Sequence, residues 1–267
     1  MCRFLAFWGT NPVPLAHLLI ESENCLLKQS KKDESRRPNP DGWGFAYRDG
    51  SSLKLIKRAM PAFKDEMFIK EARKIYSDLL FAHVRRKSYG EVRFENTHPF
   101  VHKNWIFMHN GNIPDLHSFK TKLIKKLPKE IAIETKGTTD SEFLFKYFLK
   151  FFELNNNCDL YCVLNIIYNI IRQLVQMVKP EDQHLLALNF VLTNSEYIIG
   201  FRRNRTLYYY QTNKNTIIAS EKVTNQPGWN EVPENHFIVC IRPGEVKLAA
   251  FDIIELKNME FNSLRND

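Results

Sequence analysis

The chain has 267 residues and a formal net charge of +8 at neutral pH, and 44% of its residues are hydrophobic. This length suits one large domain, and the composition is that of a globular protein. No apolar run approaches the roughly 18 residues of a transmembrane helix, and the start of the chain lacks the ordered regions of a secretory signal. Basic residues are spread along the chain without a recognisable nucleic-acid-binding module. We therefore predict a cytoplasmic protein that binds neither nucleic acid nor a membrane.

The cysteines argue against a disulfide framework. They are odd in number and scattered, at Cys2, Cys25, Cys158, Cys162 and Cys240, which is typical of a reducing compartment. Cys158 and Cys162 lie on one predicted helix, but a metal site needs two more ligands at suitable spacing. The sequence supplies no such ligands, so we predict no metal.

The first half of the chain mixes strands and helices. Asp49-Gly50 between two apolar segments is a strong hairpin signal, and helical spacing of apolar residues marks the helices. The predicted elements are a strand at Arg3–Trp8, a helix beginning within Pro14–Ile20, a surface loop at Gln29–Pro40, a hairpin of Gly44–Tyr47 and Leu53–Arg58, a helix at Lys64–Tyr76, strands at Leu79–Val84 and Trp105–Met108, and an amphipathic helix at Leu116–Leu127.

The second half begins with helices and returns to strands. Helices are predicted at Ser141–Phe152 and Leu160–Val178. The predicted strands are Leu186–Leu192, Tyr197–Arg202, Thr206–Tyr210, Thr216–Ala219, Phe237–Ile241 and Val246–Phe251. Helices that cover two antiparallel sheets satisfy this order of elements.

Cys2 is the first candidate for chemistry, because it follows the initiator methionine directly. Removal of Met1 would leave a thiol and a free α-amine on one residue. A free thiol titrates at about 8.5 and an α-amine at about 7.7–8.0, so the amine can serve as a base for its own side chain. Taken alone, Cys2 is better explained as an N-terminal residue on a buried strand, because free cysteine is often buried.

Two further segments have a functional and a plain structural interpretation. The glycines of Asp41-Gly42-Trp43-Gly44 would let the backbone approach a ligand closely, or they form a turn that opens a strand. Arg85, in Ala82-His83-Val84-Arg85, follows an apolar strand. It can hold a carboxylate through two parallel hydrogen bonds, or it is a surface residue.

His109-Asn110-Gly111 follows the apolar strand Trp105–Met108. The Asn110 amide and the Gly111 N–H are suited to an oxyanion hole, where donors stabilise charge that develops in the transition state. Asn-Gly is also an ordinary turn dipeptide.

Gly137-Thr138-Thr139-Asp140-Ser141-Glu142 precedes a predicted helix. Thr139 or Asp140 is a suitable helix N-cap, with acidic residues in the first turn. Alternatively, Asp140 holds a substrate ammonium group. Arg85 and Asp140 together would bind the α-groups of a free amino acid and leave its side-chain amide for the thiol, as glutamine or a γ-glutamyl compound requires.

In combination, these segments resemble the class II glutamine amidotransferases, which belong to the N-terminal nucleophile hydrolases. The resemblance implies that Cys2 is the nucleophile, that Asn110 and Gly111 form the oxyanion hole, and that Arg85 and Asp140 bind the α-carboxylate and the α-amine. Four further substrate-binding candidates lie within or beside the matching segments: Trp43, Gly44, Ser88 and His109.

The resemblance also implies the fold and the reaction. We expect a single domain over residues 2–267, built as a four-layer αββα sandwich of the α+β class, with Met1 removed. The thiolate would attack the side-chain amide of glutamine or a γ-glutamyl compound, and water would hydrolyse the thioester to glutamate without metal or organic cofactor.

Asn96-Thr97-His98-Pro99-Phe100 and Ala219-Ser220-Glu221 narrow the resemblance to the stand-alone, YafJ-like subgroup, which includes γ-glutamyl hydrolases. Arg86-Lys87 departs from it, because small or apolar residues are common there. Three functions remain open: a γ-glutamyl amide hydrolase, a glutaminase subunit whose protein partner supplies a synthase or peptidase, and a catalytically silent γ-glutamyl-binding protein.

Overall fold

The computed structural model describes residues 2–125, 135–155 and 158–251. Its strands form two sheets, and every strand pair is antiparallel. The strands are β1 Arg3–Pro14, β2 Trp43–Asp49, β3 Ser52–Arg58, β4 Tyr76–Val84, β5 Phe100–His102, β6 Trp105–Asn112, β7 Ala187–Thr193, β8 Ile198–Arg202, β9 Tyr208–Gln211, β10 Asn215–Ala219, β11 Asn230–Glu231, β12 His236–Arg242 and β13 Glu245–Ala250. The helices are α1 Leu26–Lys31, α2 Glu66–Ala72, α3 Leu116–Ile124, α4 Asp140–Leu154 and α5 Leu160–Met177.

Three apolar clusters show how the layers stack. The first sheet runs β11-β9-β10-β1-β4-β2-β3 and the second β13-β12-β8-β7-β6-β5. One cluster lies between the two sheets and includes Phe4, Phe81 and Met108. The other two lie on the outer faces, against α1 and α2 on the first sheet and against α4 and α5 on the second. The predicted four-layer αββα arrangement is therefore confirmed.

Alternation along β1 decides what lies on each side of it. Phe4, Ala6 and Trp8 belong to the cluster between the sheets, whereas Leu5 and Phe7 belong to the outer cluster. Successive side chains of a strand point to opposite faces. Cys2, one residue before the strand, continues the inner series, and Arg3 continues the outer one.

The helices begin at polar caps that the sequence supplies. The Asp65 carboxylate accepts a hydrogen bond from Met67 N at the start of α2. Thr139 Oγ1 accepts from Glu142 N at the start of α4, and Asp159 Oδ1 accepts from Cys162 N at the start of α5. Each cap satisfies an N–H that the first helical turn leaves without a partner.

Several predicted elements differ from the structure. The helix predicted at Lys64–Tyr76 is shorter, because Asp65 caps it and Tyr76 already belongs to β4. β1 runs on to Pro14, and only a π-helical turn at His17–Glu21 follows. The short strands β5 and β11 are not predicted, since three and two residues carry too little periodicity.

The predicted surface loop Gln29–Pro40 is wrong in two respects. Its first residues end α1, and four of its polar residues are buried: Gln29, Ser30, Asp33 and Asn39. Asn39 Nδ2 donates to Gln29 O at 2.9 Å, and Asp33 pairs with Arg3. The segment is polar because it surrounds a buried arginine.

The expectation of free cysteines is also wrong at one pair, because a disulfide joins Cys158 to Cys162. Cys158 precedes the cap of α5 and Cys162 lies in its first turn, so one helical turn brings the two sulfurs together. Cys2, Cys25 and Cys240 are free. The removal of Met1, the end of the helix predicted to Leu127 and the part of the predicted domain after residue 251 fall outside the described residues.

Candidate active site

The antiparallel register gathers three segments around Cys2. Arg3 at the start of β1 pairs with Val84 at the end of β4, so Arg85 and Arg86 follow beside Cys2. On the other side of β1, Leu5 pairs with Ala219 at the end of β10, so Ser220 and Glu221 also arrive at the start of β1.

β6 brings the second sheet to the same place. His83 on β4 lies opposite His109 on β6, where His83 Nε2 donates to the His109 carbonyl at 3.4 Å. Asn110 follows on the side of β6 that faces the first sheet, the side that Met108 also occupies.

A cavity of about 450 Å³ opens where these segments meet. It holds four of the candidates predicted from sequence: Cys2, Ser88, Asn110 and Gly111. Its wall is completed by Ser35, Arg37, Arg86, Lys87, Asn112 and Arg205. A thiol and two potential oxyanion donors therefore share one water-accessible space.

The Cys2 thiol is held by a single residue. Its Sγ donates to Arg86 O and accepts from Arg86 N, each at 3.3 Å. Burial raises the pKa of the thiol, against the lowering effects of the Arg86 N–H and of the charges on Arg85 and Arg3. Because the thiol form is favoured at neutral pH, Cys2 would need a base close by in order to act as a nucleophile.

Asn110 and Gly111 lie within β6, paired with Asn189 and Leu188 of β7, and do not form a turn. Asn110 is buried, and within the described residues its side chain has no hydrogen-bond partner. A buried amide without a partner is costly unless a ligand or water uses it. The amide is therefore available as a donor in the cavity.

His109 explains why residue 111 is glycine. Its Nε2 donates to Ala187 O at 3.1 Å, and its Nδ1 accepts from the Ser141 hydroxyl at 3.0 Å. A Cβ on Gly111 would overlap both Ala187 O and His109 Nε2. Burial lowers the pKa of His109 and keeps the ring neutral. His109 packs behind the strand and does not line the cavity, so its predicted contact with a substrate stays a prediction.

Arg85 is buried beside the cavity and organises its rim. Its guanidinium donates to Tyr89 O at 2.8 Å and to Glu91 O at 3.1 Å, so it fixes the loop that carries Ser88. Burial lowers its pKa, and the charges of Cys2, Asp41 and Asp140 oppose that effect. The surface interpretation of Arg85 is therefore excluded.

Asp140 is likewise buried, in the first turn of α4. Its Oδ2 accepts from Ile113 N at 2.9 Å and its Oδ1 from Ser141 N at 2.8 Å. The cap itself is Thr139. Neither Arg85 nor Asp140 is part of the cavity wall, so their predicted contacts with a substrate stay predictions.

Trp43 and Gly44 do not line the cavity, so their predicted contacts with a substrate stay predictions. Trp43 is fully buried in the outer cluster, and its Nε1 donates to Asp65 at 2.9 Å. Gly44 leaves room for the chain itself, since a Cβ there would overlap the His98 carbonyl. Gly42 is the residue of this segment whose backbone favours glycine, because its φ is +143°. Its carbonyl accepts a hydrogen bond from Arg85 N at 2.7 Å.

The sequence does not reveal the ion cluster on the outer side of β1. Arg3 forms ion pairs with Asp33, at 3.1 Å, and with Glu221, and its Nη1 donates to Cys2 O at 2.9 Å. Ser220 is bonded to Phe4 through backbone and side chain. In the sequence, Arg3 is the first residue of the predicted strand Arg3–Trp8, and Glu221 ends the motif Ala219-Ser220-Glu221. Only the fold shows that the two residues fix the start of β1.

Comparison of the sequence and the fold with known proteins identifies the family of this chain. The sequence profile of the class-II glutamine amidotransferases matches residues 1–213. The chain belongs to this family. It is 38% identical over 162 residues to a probable glutamine amidotransferase, DUG3, of Saccharomyces cerevisiae, and this match covers 56% of the chain but only 45% of that protein.

A second relative matches this amidotransferase over its whole length. The γ-glutamyl-hercynylcysteine sulfoxide hydrolase of Mycobacterium tuberculosis is 24% identical over 260 residues, which cover 94% of this chain and 97% of the relative. The class-II domain protein of Silicibacter pomeroyi has a similar fold, with a TM-score of 0.65 at 20% identity over 94% and 99% of the two chains.

The phosphoribosylpyrophosphate amidotransferase of Bacillus subtilis has a TM-score of 0.63 at 18% identity. The match covers 94% of this chain and 49% of that enzyme. The fold is therefore that of the N-terminal nucleophile amidotransferases. Among the described residues, no helix has the length and apolarity to cross a membrane, and no three His, Cys, Asp or Glu side chains group as metal ligands would.

Proposed function

We propose that this amidotransferase hydrolyses γ-glutamyl amides, with Cys2 as the nucleophile once Met1 is removed. The observation that supports this most directly is the shared cavity of Cys2, Asn110 and Gly111 at the start of the central strand β1. The full-length match to a γ-glutamyl hydrolase supports the reaction class.

The reaction has two acyl-transfer steps. The Cys2 α-amine takes the thiol proton, and the sulfur attacks the γ-carbonyl carbon. The carbonyl oxygen becomes an oxyanion, which Asn110 Nδ2 and Gly111 N–H stabilise. The C–N bond then breaks, the amine leaves with the proton from the α-amine, and a γ-glutamyl thioester remains.

Water completes the cycle. The α-amine removes a proton from a water molecule, whose oxygen attacks the thioester carbon. The C–S bond breaks, the thiolate regains a proton, and glutamate leaves. In this scheme Arg85 binds the α-carboxylate and Asp140 the α-ammonium group of the γ-glutamyl part. Both groups are rigidly held by backbone contacts, which suits a recognition role.

The second candidate is a glutaminase subunit whose partner protein consumes the ammonia or processes the product. The match to the yeast amidotransferase, which leaves more than half of that protein unmatched, favours it. A hydrolase would release glutamate steadily when isolated and would accept leaving groups larger than ammonia. A coupled glutaminase would be slow alone and prefer glutamine, because closure of its site depends on the partner.

The test compares glutamine with a γ-glutamyl amide of a bulky amine, using purified protein whose N-terminal residue is verified by intact mass spectrometry. We expect glutamate release from the bulky amide without any partner. Cys2→Ala should lower the rate by about 10⁴-fold or more, as loss of a nucleophile does in other acyl-transfer enzymes. Its circular dichroism spectrum should remain that of the wild type.

A diazoketone analogue of glutamine identifies the nucleophile independently. It should label Cys2 and spare Cys25 and Cys240, which are both buried. Labelling of Cys25, or full activity in Cys2→Ala, would exclude the mechanism. Glutamine turnover that appears only after a cell-extract fraction is added would favour the subunit instead.

A further inference from the structure

The wall of the Cys2 cavity is strongly basic. Four of its residues are cationic, and none of the lining residues is acidic: the cations are Arg37, Arg86, Lys87 and Arg205. Within the described parts of the chain, none of the four forms an ion pair. Cations of one sign around a cleft with low-dielectric walls concentrate a positive potential inside it.

The backbone of each of these cations is nevertheless fixed. Arg86 N donates to Cys2 Sγ, Lys87 N donates to Asp41 Oδ2 at 2.9 Å, and Arg37 N donates to Asp33 Oδ1 at 3.1 Å. Asn189 Nδ2 and Arg202 Nε both donate to Arg205 O.

The charged ends of these four side chains make fewer hydrogen bonds than their backbone atoms. Arg205 Nη1 donates to a neighbouring carbonyl, but its Nε is buried without a hydrogen-bond partner. The side-chain nitrogens of Arg37, Arg86 and Lys87 make no hydrogen bond within the described residues. Two nearby carboxylates have other partners: Asp33 pairs with Arg3 and accepts from Arg37 N, and Asp41 accepts from Lys87 N. The cationic ends are therefore left for a ligand.

We propose that this cavity selects γ-glutamyl amides whose leaving amine carries two negative charges. The proposal rests on the hydrolase function above and specifies its substrate class. Carboxylates on the departing amine would meet Lys87 and Arg37 at the mouth of the cavity, where guanidinium and ammonium groups bind carboxylates well. The substrate's own α-carboxylate does not require four additional cations, because buried Arg85 is the candidate for that group.

The experiment uses three substrates of nearly equal size: γ-glutamyl-aspartate, γ-glutamyl-asparagine and γ-glutamyl-asparaginamide. Their leaving amines carry two, one and no carboxylates, and mass spectrometry measures each amine as it is released. We expect kcat/KM to rise by about tenfold with each added carboxylate. Raising the salt concentration from 0.1 to 1 M should reduce this preference, since the Debye length falls from about 10 Å to about 3 Å.

Charge reversal identifies the residues responsible. Lys87→Glu and Arg37→Glu should each lower the ratio of kcat/KM for γ-glutamyl-aspartate to kcat/KM for γ-glutamyl-asparaginamide by about tenfold. The matched control is Lys64→Glu, which changes the net charge equally at an exposed lysine outside the cavity. That variant should keep the wild-type ratio.

The outcomes separate the two proposals. Equal or reversed rates across the series would overturn the charge preference while leaving the hydrolase in place. An equal loss on all three substrates in Lys87→Glu would show that Lys87 binds the γ-glutamyl part, which also contradicts the inference.

If no amine is released from any substrate, the hydrolase proposal fails. Calorimetric titration of Cys2→Ala with the same three compounds then decides the charge preference from affinity alone. Binding in the order of two, one and no carboxylates would support the preference, and equal affinities would overturn it.

Discussion

The two sides of the first residues of β1 differ in whether their cationic side chains form ion pairs. On the outer side, Arg3 is buried and paired with Asp33 and Glu221, whose side chains are fully buried. On the inner side, the cations of the Cys2 cavity have no ion-pair partner in the described residues. A charge that the chain itself pairs maintains the structure, whereas an unpaired charge in the wall of a cavity is available to a ligand.

The largest expected effect on stability is therefore on the outer side. Arg3→Leu leaves two carboxylates buried without their cation, and breaking a buried ion pair in this way costs about 3–5 kcal/mol. Urea denaturation should show this loss in the free energy of unfolding.

The inner side supplies the control for that measurement. Arg37→Gln and Lys87→Gln remove exposed charges without ion-pair partners among the described residues, so each should change the free energy of unfolding by no more than about 0.5 kcal/mol. A loss in Lys87→Gln as large as that in Arg3→Leu would remove the distinction between the two sides.

The next effect concerns activity on the inner side. Asn110→Ala should lower kcat by about 10²–10³-fold, as removal of an oxyanion-hole donor does elsewhere, with little change in stability. Asn112→Ala is the matched control, because Asn112 lines the same cavity two residues further along β6 and donates to Leu185 O. We expect its kcat within about threefold of the wild type. Equal losses in both variants would exclude a specific role for Asn110.

A smaller effect follows from two histidines near Arg85. His83 and His98 stack with ring centroids 4.2 Å apart, and burial lowers the pKa of His83 to about 3 and that of His98 well below its usual value. Below pH 6.5 the unfolded chain binds protons that the folded chain does not. Stability should therefore fall as the pH drops from about 6.5 toward 3, by about 2 kcal/mol at pH 5 for His83, with a further loss in the same direction from His98.

Urea denaturation at pH 7 and pH 5 measures this dependence above the range in which most carboxylates titrate. His83→Gln and His98→Gln should each make it shallower. A free energy of unfolding that is constant over this range in the wild-type protein would show that the pair accepts protons readily.

The periodicity of apolar residues predicts the layers of this fold well, but it does not predict the residues at which each helix or strand begins and ends. The apolar spacing of α4 and α5 and the alternation in β4 and β6 determine which faces are buried, and the order of elements then predicts two covered sheets. This reasoning fails for Gln29–Pro40, where Asp33 is buried by pairing with Arg3, a partner distant in sequence, and Asn39 by donating to Gln29 O. Short strands such as β11 form only because β9 is beside them.

The sequence likewise locates some residues around the cavity and not others. The motifs single out Cys2, Ser88, Asn110 and Gly111, which the structure brings to one cavity. Trp43 and Gly44 lie away from this cavity, because the chain's own His98 carbonyl occupies the space beside Gly44. The basic wall is only half visible in sequence, since Arg37 and Arg205 reach the cavity from distant loops.

Asn96 joins the loop held by Arg85 to the start of α4. Its Nδ2 donates to Glu91 O, and its Oδ1 accepts from Thr138 N at 2.8 Å. Arg85 holds the same Glu91 carbonyl, and Asp140 lies two residues after Thr138. The proposed binders of the two α-groups are thus mechanically coupled through one side chain. Substitutions at Arg85 and Asp140 should therefore be non-additive. The Asn96 side chain also helps to set the distance between these two residues, and with it the separation of the α-carboxylate and the α-amine that they would bind.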